Sequence, residues 1–232
     1  MKIQIFEVGG SIRDSILGLK TKDRDFTVLT GSYKEMRDHL LILGAKIFLE
    51  KEEYFTIRCH LEPYGASDFV LARKEGYYED GRRPSKVELA SNIKEELNRR
   101  DFTCNAIAKD ISTGEIYDYF GGVEDAKNKI LRCVGSARER FTEDSLRLAR
   151  AQRFFITKGF ELDNEIKDCL VDKNITSLLK NISAERIREE LDKCFRFDFH
   201  KTMKFLQEYP LLWDEFFNDR TKLWLKPTME EQ

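Results

Sequence analysis

Residues 2–29 read KIQIFEVGGSIRDSILGLKTKDRDFTVL, and the order of elements in this stretch decides the fold. Residues 2–8 alternate loosely and are rich in β-formers, Gly9-Gly10 punctuates the run, and SIRDSILGL follows with Ile12, Ile16 and Leu17 at helical spacing. Residues 25–29 (DFTVL) then read as a second strand. Working outward, 32–43 reads as a helix capped by Ser32 with Glu35 three residues on. Residues 45–50, 53–60 and 67–72 read as strands. Helices and strands in this order, with the strands clustered early, predict an α+β or α/β head built on one sheet.

The stretch RKEGYYEDGRRPSK, from Arg73 to about Lys86, is charged, carries two glycines and a proline, and has no periodicity, so a mobile loop is expected. In 93–108 the run NRRDFTCNAIA places Phe102, Ala106 and Ile107 at helical spacing. KDISTGEIYDYFGG reads as a hairpin turning at 112–114. From about Asp125 onward EDSLRLARAQRFF, NEIKDCLVDK, AERIREELDKCF and HKTMKFLQEY are amphipathic helices by their i, i+3, i+4 apolar spacing. The expected organisation is a sheet-containing head followed by an all-helical tail. The aromatic series Phe205, Tyr209, Trp213, Phe216, Phe217 and Trp224 is helically spaced and dominated by Phe, which predicts packing and not base stacking.

Composition narrows the function classes. Lys plus Arg totals 40 against 42 Asp plus Glu, a formal charge of −2, so any polyanion partner must meet a local patch and not a basic whole chain. Arg132, Arg138, Arg140, Arg150, Arg153, Arg186 and Arg188 could supply such a patch for RNA phosphate, although many arginines on amphipathic helices simply answer nearby Glu. Cys59, Cys104, Cys133, Cys169 and Cys194 are odd in number and lack a CxxC pair, which argues against a disulfide framework or a zinc ribbon. His39, His60 and His200 are isolated, which argues against a histidine-rich metal site or a Ser-His-Asp hydrolase. No run of about 18 uncharged residues and no leader-like apolar run occurs, so a cytoplasmic protein without a membrane partner is expected.

The chemistry is carried by a few residues. At strand period, Asp23, Asp25 and Thr27 share one face while Phe26 and Val28 point to the core. Paired carboxylates repel unless a cation lies between them, and oxygen-only ligands suit Mg²⁺, as a two-metal phosphoryl or nucleotidyl transfer site requires. An ordinary solvated turn gives the same DxD pattern. Gly9-Gly10 between a strand and a helix lets the backbone approach a phosphate, and Arg13 adds a cation, whereas a tight turn alone would also use glycines. Asp144 and Arg147 lie three apart in an expected helix, where the bland alternative is an i, i+3 ion pair. A carboxylate that accepts beside a guanidinium that donates matches the pairing edges of cytosine and adenine together and opposes those of uracil and guanine.

VGGSIRDSILG followed by KDRDFTV resembles the opening of the class II tRNA nucleotidyltransferase and bacterial poly(A) polymerase family. LARKE at 71–75, NRRDFTCNAIA at 98–108, YDYFGGVEDAKNKILR at 117–132, EDSLRLARAQRF at 143–154 and AERIREEL at 184–191 follow in the family's order, covering about residues 3–192. The resemblance implies an α+β fold, with an N-terminal polymerase-beta-like nucleotidyltransferase head on a mixed sheet over 1–134, an all-helical neck over 135–195 and a helical body over 196–232. The body is expected to be shortened, because family members usually carry more helical chain beyond the last motif.

By the same resemblance Gly9, Gly10 and Arg13 would handle a triphosphate, and Asp23 and Asp25 would be the catalytic pair holding Mg²⁺. Arg99, Arg100 and Asp101 would contact phosphate and ribose, with Asn105 nearby. Asp144 and Arg147 would read the incoming base, with Arg150 and Arg153 also in the nucleotide site. Asp68 is the nearest candidate for a third metal carboxylate, although strand parity places it opposite Arg73. Residues 74–86, with Tyr77, Tyr78, Arg82 and Arg83, correspond to a segment that helps such enzymes switch from C to A. The implied activity is template-independent addition of CMP and AMP from CTP and ATP to the 3′ end of tRNA. The motifs fit a poly(A) polymerase or a CC-only or A-only enzyme as well, and the rival of another class is an inactive nucleotide-sensing RNA-binding module.

Overall fold

The structure, a computed structural model, describes residues 3–19, 21, 24–75 and 87–218. The described residues divide into two compact units, the first ending at Asn128 and the second beginning at Lys129. In chain order the first contains β1 (Gln4–Val8), α1 (Gly10–Ile16), β2 (Asp25–Leu29), α2 (Tyr33–Ile42), β3 (Lys46–Lys51), β4 (Thr56–Leu61) and β5 (Gly65–Leu71). It continues with β6 (Arg73–Glu75), β7 (Val87–Leu89), α3 (Ile93–Asn98), β8 (Ile107–Asp110), β9 (Ile116–Asp118) and α4 (Gly122–Asn128).

Seven strands form one mixed sheet in the order β3-β4-β5-β2-β1-β8-β9, with β2 and β5 parallel and the other neighbours antiparallel. Strand alternation sends Phe26, Val28, Ile57, Cys59, Phe69 and Leu71 into a core against Tyr33, Met36 and Leu40 of α2. The rings of Phe26 and Phe69 stack with centroids 4.7 Å apart. Ser32 caps α2 as its position predicts, its Oγ accepting from the Glu35 amide at 3.1 Å.

Two stretches depart from the sequence-based expectation. Residues 73–86 are not all loop: β6 and β7 pair antiparallel from Arg73↔Leu89 to Glu75↔Val87, while 76–86, including Tyr77, Tyr78, Arg82 and Arg83, lie outside the described residues. Nor does a helix continue through 93–108. It stops at Asn98, passes through a 3₁₀ turn at Thr103–Asn105, and becomes β8. Phe102, Ala106 and Ile107 are fully buried, and the chain satisfies its backbone by pairing Ala108 with Val8 of β1.

Among the described residues, the regular structure of the second unit is helical apart from one two-residue parallel pairing. It comprises β10 (Ile130–Leu131), α5 (Ala137–Glu143), α6 (Leu146–Lys158), β11 (Glu161–Leu162), α7 (Asn164–Leu170), α8 (Lys173–Thr176), α9 (Ala184–Phe197), α10 (Phe199–Glu208) and α11 (Pro210–Trp213). α6 packs along α9. Phe205, Tyr209 and Phe216 are buried as packing residues, and Trp213 meets Phe217 at a tilt of 45° with ring centroids 4.8 Å apart, while Trp224 lies outside the described residues. Among the described residues no helix is long and apolar enough to cross a membrane.

Candidate active site

Strand register gathers the candidate residues of the first unit at one end of the sheet. β1 ends at Val8, whose partner is Asp25, the first residue of β2. Val8 also pairs with Ala108, so the chain entering β8 through Asn105 and Ala106 arrives at the same end. The Gly9-Gly10 loop leaves β1 there, fixed by a hydrogen bond from the Gly9 amide to the Ile107 carbonyl at 3.2 Å.

Two guanidinium groups stand against that loop. A Cβ on Gly9 would lie 2.8 Å from Nη1 of Arg100, and a Cβ on Gly10 would lie 3.3 Å from Nη2 of Arg13. Gly9 also has φ 76° and ψ −127°, a conformation open to glycine and strained for other residues. The glycines therefore do more than shape a turn: their missing side chains admit the two cations.

Buried carboxylates and amides hold these arginines in place. Arg13 donates through Nη1 to Asn105 Oδ1 at 2.5 Å and through Nε and Nη2 to Asp14 Oδ1 at 2.9 and 2.7 Å. Asn105 Nδ2 donates to Asp101 Oδ1 at 3.0 Å, and the Asn105 carbonyl accepts from Arg100 Nη1 at 3.3 Å. Burial pulls the Arg100 guanidinium below its ordinary range, and Glu96 opposes the shift.

Glu96 was not singled out from the sequence. It is fully buried, and its carboxylate accepts from Arg99 Nε at 2.8 Å, Arg99 Nη2 at 2.6 Å, Arg100 Nη2 at 3.3 Å and the Arg73 amide at 3.0 Å. The signal was present in EELNRR, where Glu96 precedes Arg99 by three and Arg100 by four.

The YDYFGGVEDA stretch supports the same loop from below. Asp118 caps α4, accepting from the Gly122 amide at 2.8 Å and the Val123 amide at 2.9 Å. A Cβ on Gly122 would fall 2.0 Å from the Thr103 carbonyl oxygen, so only glycine lets α4 meet the 3₁₀ turn. Asp125 then accepts from Thr103 Oγ1 at 2.7 Å.

Parallel pairing makes Asp25 and Asp68 register partners, on the face opposite the core. Asp68 has Arg58 Nε at 3.4 Å, and Asp23 lies outside the described residues. Among the described residues no group of three or more His, Cys, Asp or Glu forms a metal-holding cluster. The donor set nevertheless fits Mg²⁺ chemically, since Asp25 is an exposed oxygen ligand with a second carboxylate in the neighbouring register position.

In the second unit one expectation is corrected. Asp144 and Arg147 do not share a helix face one turn apart: α5 ends at Glu143, Asp144 has extended backbone (φ −143°, ψ 98°), and α6 starts at Leu146. The junction is fixed by Ser145, whose Oγ donates to the Leu178 carbonyl at 2.9 Å. Asp144 accepts from the Leu146 amide at 3.1 Å and has Arg186 at 3.7 Å. Burial raises its carboxyl above the usual range, against the pull of Arg186, Arg147 and Arg150. Arg147, itself buried, donates to Glu143 at 3.0 Å and to the Arg140 carbonyl at 3.2 Å. Arg153 is ion-paired with buried Glu190 of α9 and lies over the Phe154 ring at 5.1 Å.

A family model described as "Poly A polymerase head domain" matches residues 5–132, and one described as "Probable RNA and SrmB- binding site of polymerase A" matches 159–213. A CCA-adding enzyme of Streptococcus pneumoniae is 42% identical over 190 residues, covering 82% of this chain and 45% of the relative. A Bacillus stearothermophilus CCA-adding enzyme in complex with CTP superposes with a TM-score of 0.75 at 31% identity, over 90% of this chain and 49% of that one. A tRNA nucleotidyltransferase complexed with a primer tRNA and an incoming ATP analogue gives a TM-score of 0.75 at 29% identity, over 93% and 59%. The chain thus spans about half the length of the relatives it matches.

Proposed function

The chain belongs to the poly(A) polymerase head-domain family, and on that premise we propose that it adds CMP and AMP from CTP and ATP to the 3′ end of tRNA without a template. The observation that carries the proposal is the convergence of Asp25, Asp68, the Gly9-Gly10 loop, Arg13 and Arg100 at one end of the sheet. Residues 1–134 would act as the catalytic head, 135–195 as the neck that selects the nucleotide, and 196–232 as the body. The five cysteines are free and buried, which suits a cytoplasmic setting.

Asp23, Asp25 and Asp68 would hold Mg²⁺, which when bound lowers the pKa of the attacking 3′-hydroxyl and offsets triphosphate charge. Arg13 and Arg100 would meet the phosphate oxygens across the two glycines, supplying fixed positive charge where the pyrophosphate leaves. Arg99, Asp101 and Asn105 would order the phosphate and ribose through the network that already links Asp101 to Asn105 and Asn105 to Arg13. Asp144 would accept from the exocyclic amine of C or A while Arg147 donates to the ring nitrogen, with Arg150 and Arg153 adding cations nearby. A uracil or guanine would leave a donor or acceptor unpaired, at about 1–3 kcal/mol each.

The test supplies the protein with tRNA ending at the discriminator base, at C or at CC, and with a generic RNA, one nucleotide at a time. Addition of C, C and A followed by a stop supports the proposal. An unending A tail replaces it with a poly(A) polymerase, and nucleotide-induced thermal stabilisation without pyrophosphate release replaces it with a binding module. Asp25→Ala should lower incorporation by about 100-fold or more; near-normal turnover in that variant sinks the metal assignment.

A further inference from the structure

We infer that Glu96 is a positioning residue that sets the Arg99 and Arg100 guanidiniums in the geometry needed to receive a triphosphate. The inference deepens the proposed function and rests on it. Both oxygens of the Glu96 carboxylate are fully used: Oε1 accepts from Arg99 Nη2 at 2.6 Å and Arg100 Nη2 at 3.3 Å, and Oε2 accepts from Arg99 Nε at 2.8 Å and the Arg73 amide at 3.0 Å. The grip on Arg99 is the two-pronged carboxylate–guanidinium fork, which fixes direction as well as distance. Arg100 is held differently, with Nη2 on Glu96 and Nη1 on the Asn105 carbonyl, and this second tether brings Nη1 to the open side of Gly9.

Charge and burial explain why one carboxylate takes two arginines. Glu96 has no exposed surface, and its one carboxylate faces two guanidiniums that stay part-exposed beside the glycine loop, with Asp101 also acting on Arg100. Arg100 Nε is buried and has no hydrogen-bond partner among the described residues. The Arg73 amide ties the same carboxylate to the start of the β6–β7 pair.

The test measures binding of inorganic tripolyphosphate and of CTP by calorimetry, with CTP KM and kcat for end addition, in the whole chain. Glu96→Gln keeps the volume but turns one acceptor into a donor facing the arginines. Its tripolyphosphate affinity should fall by about 10- to 100-fold, the size typical of an outer partner that orients a binding group, with the loss in KM and not in kcat. Glu96→Asp, which withdraws the charge by one methylene, should fall in between and is the variant used if Glu96→Gln does not fold by near-UV circular dichroism. In an Arg99→Ala/Arg100→Ala background the Glu96 substitution should add no further loss, as expected of a residue that acts only through those two. Unchanged affinity in a folded Glu96 variant, or a loss that adds fully to the double arginine variant, overturns the inference. A wild-type chain that binds CTP only through its base, with no affinity for tripolyphosphate, overturns the phosphate site itself.

Discussion

Gly9 and Asp144 show how single residues trade stability for a site. Gly9 combines a backbone conformation reserved for glycine with an open side filled by the Arg100 guanidinium 2.8 Å from where a Cβ would stand. Gly9→Ala should cost about 1–3 kcal/mol from backbone strain and should also displace Arg100. Denaturant unfolding measures the first effect and CTP KM the second; a normal KM would show that Arg100 does not serve the loop. Asp144 works in the other direction. Its carboxyl is raised by burial, so the folded state binds its proton more tightly than the unfolded chain, and its contribution to stability is present below the ordinary carboxylate range and lost as pH rises through the raised value. Asp144→Asn keeps an oxygen for the Leu146 amide and removes the buried charge. Its melting temperature at neutral pH should equal or exceed that of the parent, while preference for C and A over U and G collapses. A variant that melts clearly lower and keeps its selectivity would assign Asp144 a structural role.

At the level of elements, the site depends on close approaches between short pieces. α4 meets the 3₁₀ turn at Thr103–Asn105 through Gly122, where an added Cβ would overlap the Thr103 carbonyl at 2.0 Å, and Thr103 is bonded in turn to Asp125. Gly122→Ala must push helix and turn apart, at about 1–3 kcal/mol for overpacking, and should carry Asn105 away from Arg13. Lowered stability together with weakened CTP binding is the expected outcome; lost stability with intact binding would uncouple α4 from the site. The helix expected through 93–108 failed for a related reason. Apolar spacing at Phe102, Ala106 and Ile107 is compatible with a helix, but a free edge of β1 offers Ala108 a strand partner, and the ladder prevails. The β6–β7 pair was likewise invisible in RKEGYYEDGRRPSK because three-residue strands carry too short a pattern to register.

For the molecule as a whole, a formal charge of −2 means that the proposed RNA affinity must come from local arginines. Several of these are already matched to acids within the second unit: Arg153 to Glu190, Arg138 to Asp172, and Arg186 near Asp144. RNA binding should therefore fall steeply but not extremely with salt, with a log–log slope of about −2 to −4 for a handful of single-strand phosphate contacts. A salt titration with fluorescently labelled tRNA measures it, and a slope near zero would point to recognition without phosphate contacts. The two units divide at Asn128 and Lys129, where the pairing of Ile130–Leu131 with Glu161–Leu162 draws the chain after α4 into the helical half.

Local signals sufficed for the strand–glycine–helix–strand opening, the helical second half and the capping of α2 by Ser32, because each depends on periodicity, turn chemistry or spacing within one segment. The strand that Asp25 opens was legible, yet Asp68 as the register neighbour of Asp25 was not, since parallel pairing joins residues far apart in the chain. The pairing of Asp144 with Arg147 on one helix was wrong for want of a helix boundary that Ser145 and Leu178 fix together. Glu96 shows the same division: its spacing from Arg99 and Arg100 lay open in the sequence, but its complete burial and its bond to the Arg73 amide arise only when α3 packs beside β6. Residue type and spacing determined which groups this chain can offer, whereas tertiary structure decided which of them meet, because burial and long-range register are properties of the folded chain alone.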